Sequence, residues 1–250
     1  MKLYCLGTSH GVPETGRFTS CHVLEVGEKL YIFDAGAPVV DLLLRKGKNI
    51  NNIRGFFCSH FHGDHMDGGV SLLTLCDWYF KETDFEAWLP DRVTENTLRI
   101  YAEACDDVTF ADGRIKLRVT EPGCIYDDGT VRVTAIPVGH IVRSDKRSYA
   151  FSVEAEGKKF LYTGDLSYGL KKEDFPAVAM ENHYDLILTE CAHFPVATLE
   201  SYMARVDTEV FAVSHVFPLE KYEQMKALEG KYPFRLWLPN DGDEMEIENR

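Results

Sequence analysis

Short apolar runs, each ended by glycine, proline or charged residues, recur along the whole chain. Their length and their content of β-branched and aromatic residues are typical of strands. Several alternate apolar with polar residues, which predicts one buried and one more exposed face. The predicted strands cover residues 2–6, 21–26, 30–33, 55–58, 85–89, 115–119, 131–136, 148–154, 160–163, 184–189, 209–214 and 234–238.

Stretches with apolar residues near helical spacing separate many of these strands and predict helices. Pro38 suits the first turn of one helix, and Asp67 is a candidate N-cap for the next. The predicted helices cover residues 38–45, 69–79, 91–105, 173–181, 198–205 and 218–228.

Strand-rich and helix-bearing stretches occur in both halves, without a linker or repeat between them. This pattern suits two sheets packed between helices, which we expect to form one domain over residues 1–250. Residues 127–130 are predicted as the turn between the sixth and seventh predicted strands. The acidic residues from Asp241 onward are expected to fray as a tail.

Composition narrows the class of protein further. With 45% hydrophobic and 12% aromatic residues, the chain can bury a large core. No apolar run approaches the ~18–20 residues that span a bilayer, and the N-terminus lacks a signal-peptide pattern. Seven cysteines without C-x-x-C spacing are typical of reduced core thiols in a cytoplasmic protein. A net charge of −13 argues against a nucleic-acid partner.

The segment at 59–65, Ser-His-Phe-His-Gly-Asp-His, directly follows a predicted buried strand. His60 and His62 are two positions apart, so an extended backbone would point both to the same side. The glycine that follows permits a bend, which would bring Asp64 and His65 round to face them. Imidazole and carboxylate are ligands suited to zinc, manganese or iron. The alternative is a polar surface loop that happens to be rich in histidine.

Three further candidates each lie at or just beyond the end of a strand-like run: His140, Asp165 and His215. Singly, each would be an ordinary histidine or turn aspartate. Together with the histidine-rich segment, and in this order, they resemble the metallo-β-lactamase superfamily. Its pattern is H-x-H-x-D-H, then a histidine, a bridging aspartate and a final histidine. The resemblance covers about residues 3–215 and implies an α/β fold, the four-layer αββα sandwich.

The resemblance also implies two divalent metal ions held by seven ligands: three for the first ion, three for the second, and one bridging. In that order they are His60, His62 and His140; Asp64, His65 and His215; and Asp165. A hydroxide bridging the metals would be the nucleophile, with its proton held by Asp64. Because no cysteine occupies a ligand position, we expect zinc, with manganese or iron possible. Asp34, in a D-x-G segment like that of the family, would orient a ligand histidine, or simply be a turn aspartate.

Glu190 and His193 resemble an E/D-x-x-H segment that follows a strand in phosphodiesterase-type members. His193 could protonate a leaving oxygen or contact a phosphate, and Glu190 could orient His193 or a ligand. They could equally be a helix-start carboxylate and an exposed histidine. Four other residues could contact substrate or be ordinary structural or surface groups. These are His10, Arg17, Arg143 and Arg147.

Residues 7–13 and 34–36 look most like the ribonuclease Z branch and its small-molecule phosphodiesterase relatives. Two features depart from ribonuclease Z. Only 24 residues separate His140 from Asp165, which leaves no room for its protruding arm, and Thr189 stands where that enzyme has a catalytic histidine.

We therefore predict a dinuclear metal-dependent hydrolase of a small phosphodiester, such as a cyclic or nucleotide-like ester. We expect no membrane partner, and a homodimer is possible. The alternatives are a tRNA 3′-processing endonuclease, a carboxylic ester or lactone hydrolase, and a non-catalytic metal-binding protein.

Overall fold

A computed structural model of the chain describes residues 1–106, 108–141, 146–171 and 174–247. The strands are β1 (Lys2–Gly7), β2 (Cys21–Val26), β3 (Lys29–Ala35), β4 (Ile53–Phe57), β5 (Phe85–Leu89), β6 (Ile115–Val119), β7 (Gly123–Asp127), β8 (Val131–Pro137), β9 (Tyr149–Ala155), β10 (Lys158–Tyr162), β11 (His183–Cys191), β12 (Asp207–Val216), β13 (Arg235–Trp237) and β14 (Glu244–Glu246). The helices are α1 (Val39–Arg45), α2 (Gly63–Trp78), α3 (Arg92–Asp106), α4 (Val178–Glu181), α5 (Val196–Met203) and α6 (Glu220–Lys226).

The described strands form two seven-stranded sheets. The first has the order β14-β1-β2-β3-β4-β5-β6, and the second β13-β12-β11-β10-β9-β8-β7. Each sheet contains a parallel half, β3 to β6 in the first and β10 to β13 in the second. Parallel neighbours end at the same edge of a sheet, so loops that follow different strands meet there.

Three apolar layers hold the sheets and helices together. Along β4, adjacent side chains point to opposite faces. Phe56 packs among residues of α1 and α2, whereas Phe57 lies between the sheets and stacks on Phe33 with ring centroids 5.2 Å apart. On the far side of the second sheet, Phe211 packs with residues of the later helices. The layer order is helix, sheet, sheet, helix, so the predicted αββα sandwich is confirmed.

Two of the described strands, β7 and β14, were not anticipated from the sequence. β7 lies at the edge of the second sheet and pairs antiparallel with β8, so the turn at 127–130 joins β7 to β8, and the prediction that it follows β6 is wrong. The residues of β7 are exposed or half-buried, and its apolar pattern is correspondingly weak. The helix predicted at 173–181 is limited to α4 in the described chain, and residues 172 and 173 lie outside it.

Helix α2 begins at Gly63 rather than near residue 69, and its N-cap is His62. The predicted capping role of Asp67 is therefore wrong. Glycines in the first two turns lower helix propensity and hid this start in the sequence. Gly68 is required by packing, since a Cβ there would lie 1.8 Å from the carbonyl oxygen of Ala37.

The C-terminal segment is anchored through residue 247, so the prediction that it frays from Asp241 is wrong. β14 pairs antiparallel with β1. The Asp241 carboxylate accepts hydrogen bonds from the backbone N–H and hydroxyl of Thr8, at 2.9 and 2.7 Å, and from the backbone N–H of Phe18. These contacts tie the end of the chain to the loop after β1.

The cysteines and the length of the helices were also predicted from the sequence. All seven cysteines are free thiols, and five of them are buried. Within the four described ranges, no helix has the length and apolar character required to cross a bilayer.

Candidate metal centre

The seven predicted ligands meet at one edge of the sandwich, although they come from four separate parts of the chain. His60 and His62 follow β4, and the N-terminal turn of α2 supplies the next two. The remaining three lie after β8, after β10 and near the end of β12. In chain order they are His60, His62, Asp64, His65, His140, Asp165 and His215.

The first set of donor atoms consists of three imidazole nitrogens and one carboxylate oxygen. His62 Nδ1 lies 3.0 Å from His60 Nε2 and 3.3 Å from His140 Nε2. Asp165 Oδ2 lies 3.7 Å from both His60 Nε2 and His140 Nε2. The four side chains therefore surround one point.

The second set uses the other oxygen of the same aspartate. Asp165 Oδ1 lies 3.3 Å from His65 Nε2 and 3.6 Å from His215 Nδ1. Asp64 Oδ2 lies 3.5 Å from His65 Nε2 and 3.1 Å from His215 Nε2. Asp165 thus faces both sets at once, with one oxygen toward each.

These separations fit divalent metal ions. Ligands about 2.0–2.1 Å from a common zinc at tetrahedral angles lie about 3.3–3.4 Å apart. Among the described residues, three atoms of the second set, His65 Nε2, Asp165 Oδ1 and His215 Nδ1, are buried without a hydrogen-bond partner. Buried polar atoms of this kind are costly unless something binds them, and a cation would satisfy all three.

The opposite nitrogen of three predicted ligand histidines is held by a hydrogen-bonding partner. His65 Nδ1 lies 2.7 Å from Asp34 Oδ2, and His60 Nδ1 lies 3.0 Å from the hydroxyl of Ser59. His140 Nδ1 donates to the carbonyl of Leu166, at 3.1 Å. Such contacts fix the orientation of a metal-binding imidazole. Asp34 thus contacts a predicted ligand histidine, as its predicted orienting role requires.

The D-x-G segment at 34–36 also has a packing reason for its glycine. A Cβ on Gly36 would lie 1.9 Å from the backbone carbonyl oxygen of Asp64. Only glycine lets the first turn of α2 approach β3 this closely. The motif therefore brings Asp34 and the segment that carries Asp64 and His65 together.

Burial determines the protonation state of the three histidines in the first set. It lowers the pKa of His60, His62 and His140, that of His60 well below its usual range. A lowered pKa favours neutral imidazole, which is the form that binds metals. The first set therefore presents lone pairs rather than N–H⁺ groups at neutral pH.

Glu190 and His193 lie beside the two ligand sets. Glu190 is buried, and its Oε1 lies 2.7 Å from His193 Nδ1. The His193 ring is 4.7 Å from that of His140, centroid to centroid. Burial lowers the pKa of His193, but the hydrogen bond and charge of Glu190 outweigh it and raise the pKa to about 9. This raised pKa keeps His193 protonated at neutral pH.

Two of the other residues predicted to contact substrate, His10 and Arg17, make contacts within the protein. His10 is 3% exposed, its Nε2 lies 2.8 Å from Glu14 Oε1, and its ring packs on Phe217 at 4.2 Å. Arg17 donates to the hydroxyl of Thr8 at 2.6 Å. Both side chains therefore stabilise the loop after β1, and substrate contact by either stays a prediction.

The remaining two arginines differ. Arg147 is exposed, and its Nη1 donates to the carbonyl of Lys146. It stays a candidate for substrate contact. Arg143 lies outside the described residues.

Three residues of the site were missed from the sequence. Tyr162 donates its hydroxyl proton to Asp34 at 2.7 Å, and Ser59 donates to the same carboxylate. The carboxylate of Asp174 accepts from the backbone N–H groups of Gly139 and Ser167, which joins the loops that carry His140 and Asp165. Only Ser59 had a local signal, its place directly before His60.

Comparison with known proteins identifies relatives in sequence and in fold. A ribonuclease Z of Gloeothece citriformis (strain PCC 7424) is 29% identical over 183 residues, which is 69% of this chain and 56% of that protein. The chain spans about half the length of the curated relatives it matches. Among solved structures, it is similar to the metallo-β-lactamase fold protein YhfI of Bacillus subtilis, with a TM-score of 0.72 at 17% identity over 98% of both chains.

Human tRNase Z, short form, superposes with a TM-score of 0.73 at 19% identity over 100% of both chains. The predicted resemblance to the metallo-β-lactamase superfamily, in its ribonuclease Z-like branch, is confirmed. The sequence profile of the anti-Pycsar protein Apyc1 family matches residues 1–213, and the chain belongs to this family.

Proposed function

We propose that this protein is a dinuclear metal-dependent phosphodiesterase that hydrolyses a small phosphodiester, such as a cyclic or nucleotide-like ester. One observation carries the proposal. Asp165 directs one carboxylate oxygen at each of two sets of donor atoms, so that two cations would share it. An arrangement of this kind is used to activate water and to neutralise both oxygens of an in-line displacement.

The distances between donor atoms assign the proposed ligands to two ions. His60, His62 and His140 would hold the first ion, and Asp64, His65 and His215 the second, with Asp165 between them. Two divalent cations, zinc for preference and manganese or iron as alternatives, would supply Lewis-acid charge and a water that ionises near neutral pH. The nitrogen and carboxylate donor set, which contains no thiolate, suits each of these metals.

Two side chains have proposed roles in proton handling. Asp64 lies at the partly exposed side of the second set, and its carboxylate would accept a hydrogen bond from the attacking water and fix its direction. His193 Nδ1 is engaged by Glu190, which leaves Nε2 as the nitrogen that can reach a substrate. A protonated His193 would donate that proton to the leaving oxygen.

Charge and local sequence favour a small substrate over RNA. The net charge of −13 repels a long polyanion. Residue 189, directly before Glu190, is a threonine, so this position supplies no imidazole to the site. Its side chain is buried and accepts a hydrogen bond from the hydroxyl of Thr163 at 3.0 Å. A ribonuclease Z-like tRNA 3′-end activity is the second candidate, because the curated relatives carry that name.

Elemental analysis combined with a substrate panel tests the proposal. We expect about two metal ions per chain, hydrolysis of bis-p-nitrophenyl phosphate and cyclic nucleotides, and little turnover of p-nitrophenyl acetate. Preferential cleavage of the acetate would indicate a carboxylic ester hydrolase instead. Salt-sensitive RNA binding with tRNA cleavage would favour the endonuclease, and a metal-replete protein inactive on every ester would indicate a non-catalytic role.

A further inference from the structure

The ammonium of Lys221, in the first turn of α6, donates hydrogen bonds to three backbone carbonyls of one loop. The acceptors are the oxygens of Cys191 at 2.9 Å, Ala192 at 3.0 Å and Phe194 at 2.7 Å. A cation in the first turn of a helix opposes the helix dipole. The dipole of helix α6 therefore does not favour a lysine at this position. The three loop carbonyls that accept its hydrogen bonds do.

The same loop is held from its other side by an anion. Glu190 Oε2 accepts from the backbone N–H groups of Ala192 at 2.7 Å and His193 at 3.0 Å. The carbonyl of His193 accepts from the N–H of Gly169 at 2.9 Å. Carboxylate on the N–H side and ammonium on the carbonyl side make charge-assisted hydrogen bonds, which are stronger than neutral ones. The backbone around His193 is thereby fixed by two opposite charges.

We propose that Lys221 is a positioning residue that holds the 191–194 loop, and through it the His193 imidazole, beside the metal centre. Within the described residues, the hydrogen bonds of the Lys221 ammonium go to backbone oxygens of that loop and none goes to a proposed ligand. It also lies beyond residues 1–213, the part matched by the family profile. The catalytic consequence rests on the proposed role of His193, whereas the positioning itself does not.

Hydrogen–deuterium exchange on the protein without substrate tests the positioning directly. Lys221→Met removes the three donors but keeps an unbranched side chain of similar length. We expect peptides that cover 190–194 to exchange about tenfold faster, because the loop opens more often. Metal content should stay unchanged. Lys226→Met, on the same helix at an exposed ion pair with Glu223, is the matched control and should leave this exchange as it was.

Chemical rescue provides a second measurement. Lys221→Ala leaves three carbonyls facing the space of the lost ammonium, and ammonium chloride can supply N–H donors there. We expect ammonium to slow exchange of the loop again, and tetramethylammonium chloride at equal ionic strength not to, because it has no N–H group. Lys221→Arg keeps the positive charge and the N–H donors. Its loop should exchange at a rate within about threefold of the wild-type rate.

The outcomes separate the two claims. Faster exchange together with about tenfold slower turnover of alkyl phosphodiesters, but not of p-nitrophenyl esters, supports both the positioning and the proton-donor role of His193. Faster exchange with unchanged turnover supports the positioning and counts against the role of His193. Unchanged exchange in Lys221→Met, with equal responses of Lys221→Ala to ammonium and tetramethylammonium, overturns the proposal.

Discussion

Asp34 Oδ2 lies 2.7 Å from Nδ1 of His65, at the opposite side of the imidazole from the proposed metal centre. The same carboxylate accepts from the N–H of Ser59 at 2.6 Å and from the hydroxyl of Tyr162 at 2.7 Å. Asp34 also adopts a positive φ of 56°, a conformation that aspartate and asparagine tolerate better than most residues. One side chain therefore links β3, the histidine-rich loop and β10 at the base of the site.

Asp34→Asn isolates the charge of this contact, because asparagine keeps the size and suits the backbone. We expect affinity for the second metal to fall about 10–100-fold, since a neutral amide orients and polarises His65 less well. Metal titration of the demetallated protein measures this. Asp41→Asn, at an exposed ion pair with Arg45, serves as the control, and equal affinities in the two variants would contradict the role of Asp34.

Asp165→Ala removes the only side chain that faces both donor sets in the described chain. Each set then keeps three ligands and loses the shared oxygen, so we expect metal content to drop clearly below that of wild type. Elemental analysis after dialysis, with circular dichroism to establish folding, measures the change. Asp207→Ala, at a largely exposed carboxylate, should retain full content. Unchanged stoichiometry in Asp165→Ala would mean that the ligand assignment is wrong.

His193→Ala should preserve the metals but remove the proposed proton donor. A leaving alkoxide needs a proton more than p-nitrophenolate does, so we expect turnover of alkyl phosphodiesters to fall about 10²–10⁴-fold and that of p-nitrophenyl esters much less. His183→Ala offers a matched comparison, because His183 lies at the opposite end of β11 in a half-exposed ion pair. Equal slowing of both substrates would count against proton donation.

The clustering of the seven proposed ligands was predictable, because their order and types follow a family pattern. His60, His62, Asp64 and His65 lie within six positions, so local geometry alone indicated a common site. The two sheets were predictable for a similar reason, since alternation within a strand is a short-range signal.

The supporting contacts were not predictable, because they join residues far apart in the chain. The hydroxyl of Tyr162 meets Asp34 across 128 positions, and Thr8 meets Asp241 across 233. Nothing near Asp241 distinguishes it from the other acids of the C-terminal segment, so the sequence predicts a fraying tail there. Only the pairing of β14 with β1 brings it to Thr8. Lys221 is a similar case, since its partners lie on another element.

Asp128 joins the two sheets at a point outside the proposed metal centre. Its ionisation predicts how the free energy of unfolding depends on pH. It lies in the turn before β8, and its Oδ2 accepts from Lys29 Nζ at 2.9 Å and from the Tyr31 hydroxyl at 2.7 Å, both on β3. Burial raises the pKa of Asp128, but the backbone N–H of Val131 and the groups on Tyr31 and Lys29 outweigh it and lower the pKa to about 2.

A carboxyl whose pKa is lower in the folded state stabilises the fold above its unfolded pKa, and loses that effect as pH falls through the folded pKa. The contribution of Asp128 should therefore be complete above about pH 5 and decline between about pH 4 and pH 2. Asp128→Asn should lower the free energy of unfolding by about 2 kcal/mol at pH 7, with the difference from wild type narrowing across that acidic range. Urea unfolding of both demetallated proteins at a series of pH values measures it. Asp84→Asn, at an exposed pair with Lys116, should show a much smaller difference, and a gap for Asp128→Asn that stays constant with pH would exclude the carboxylate as its source.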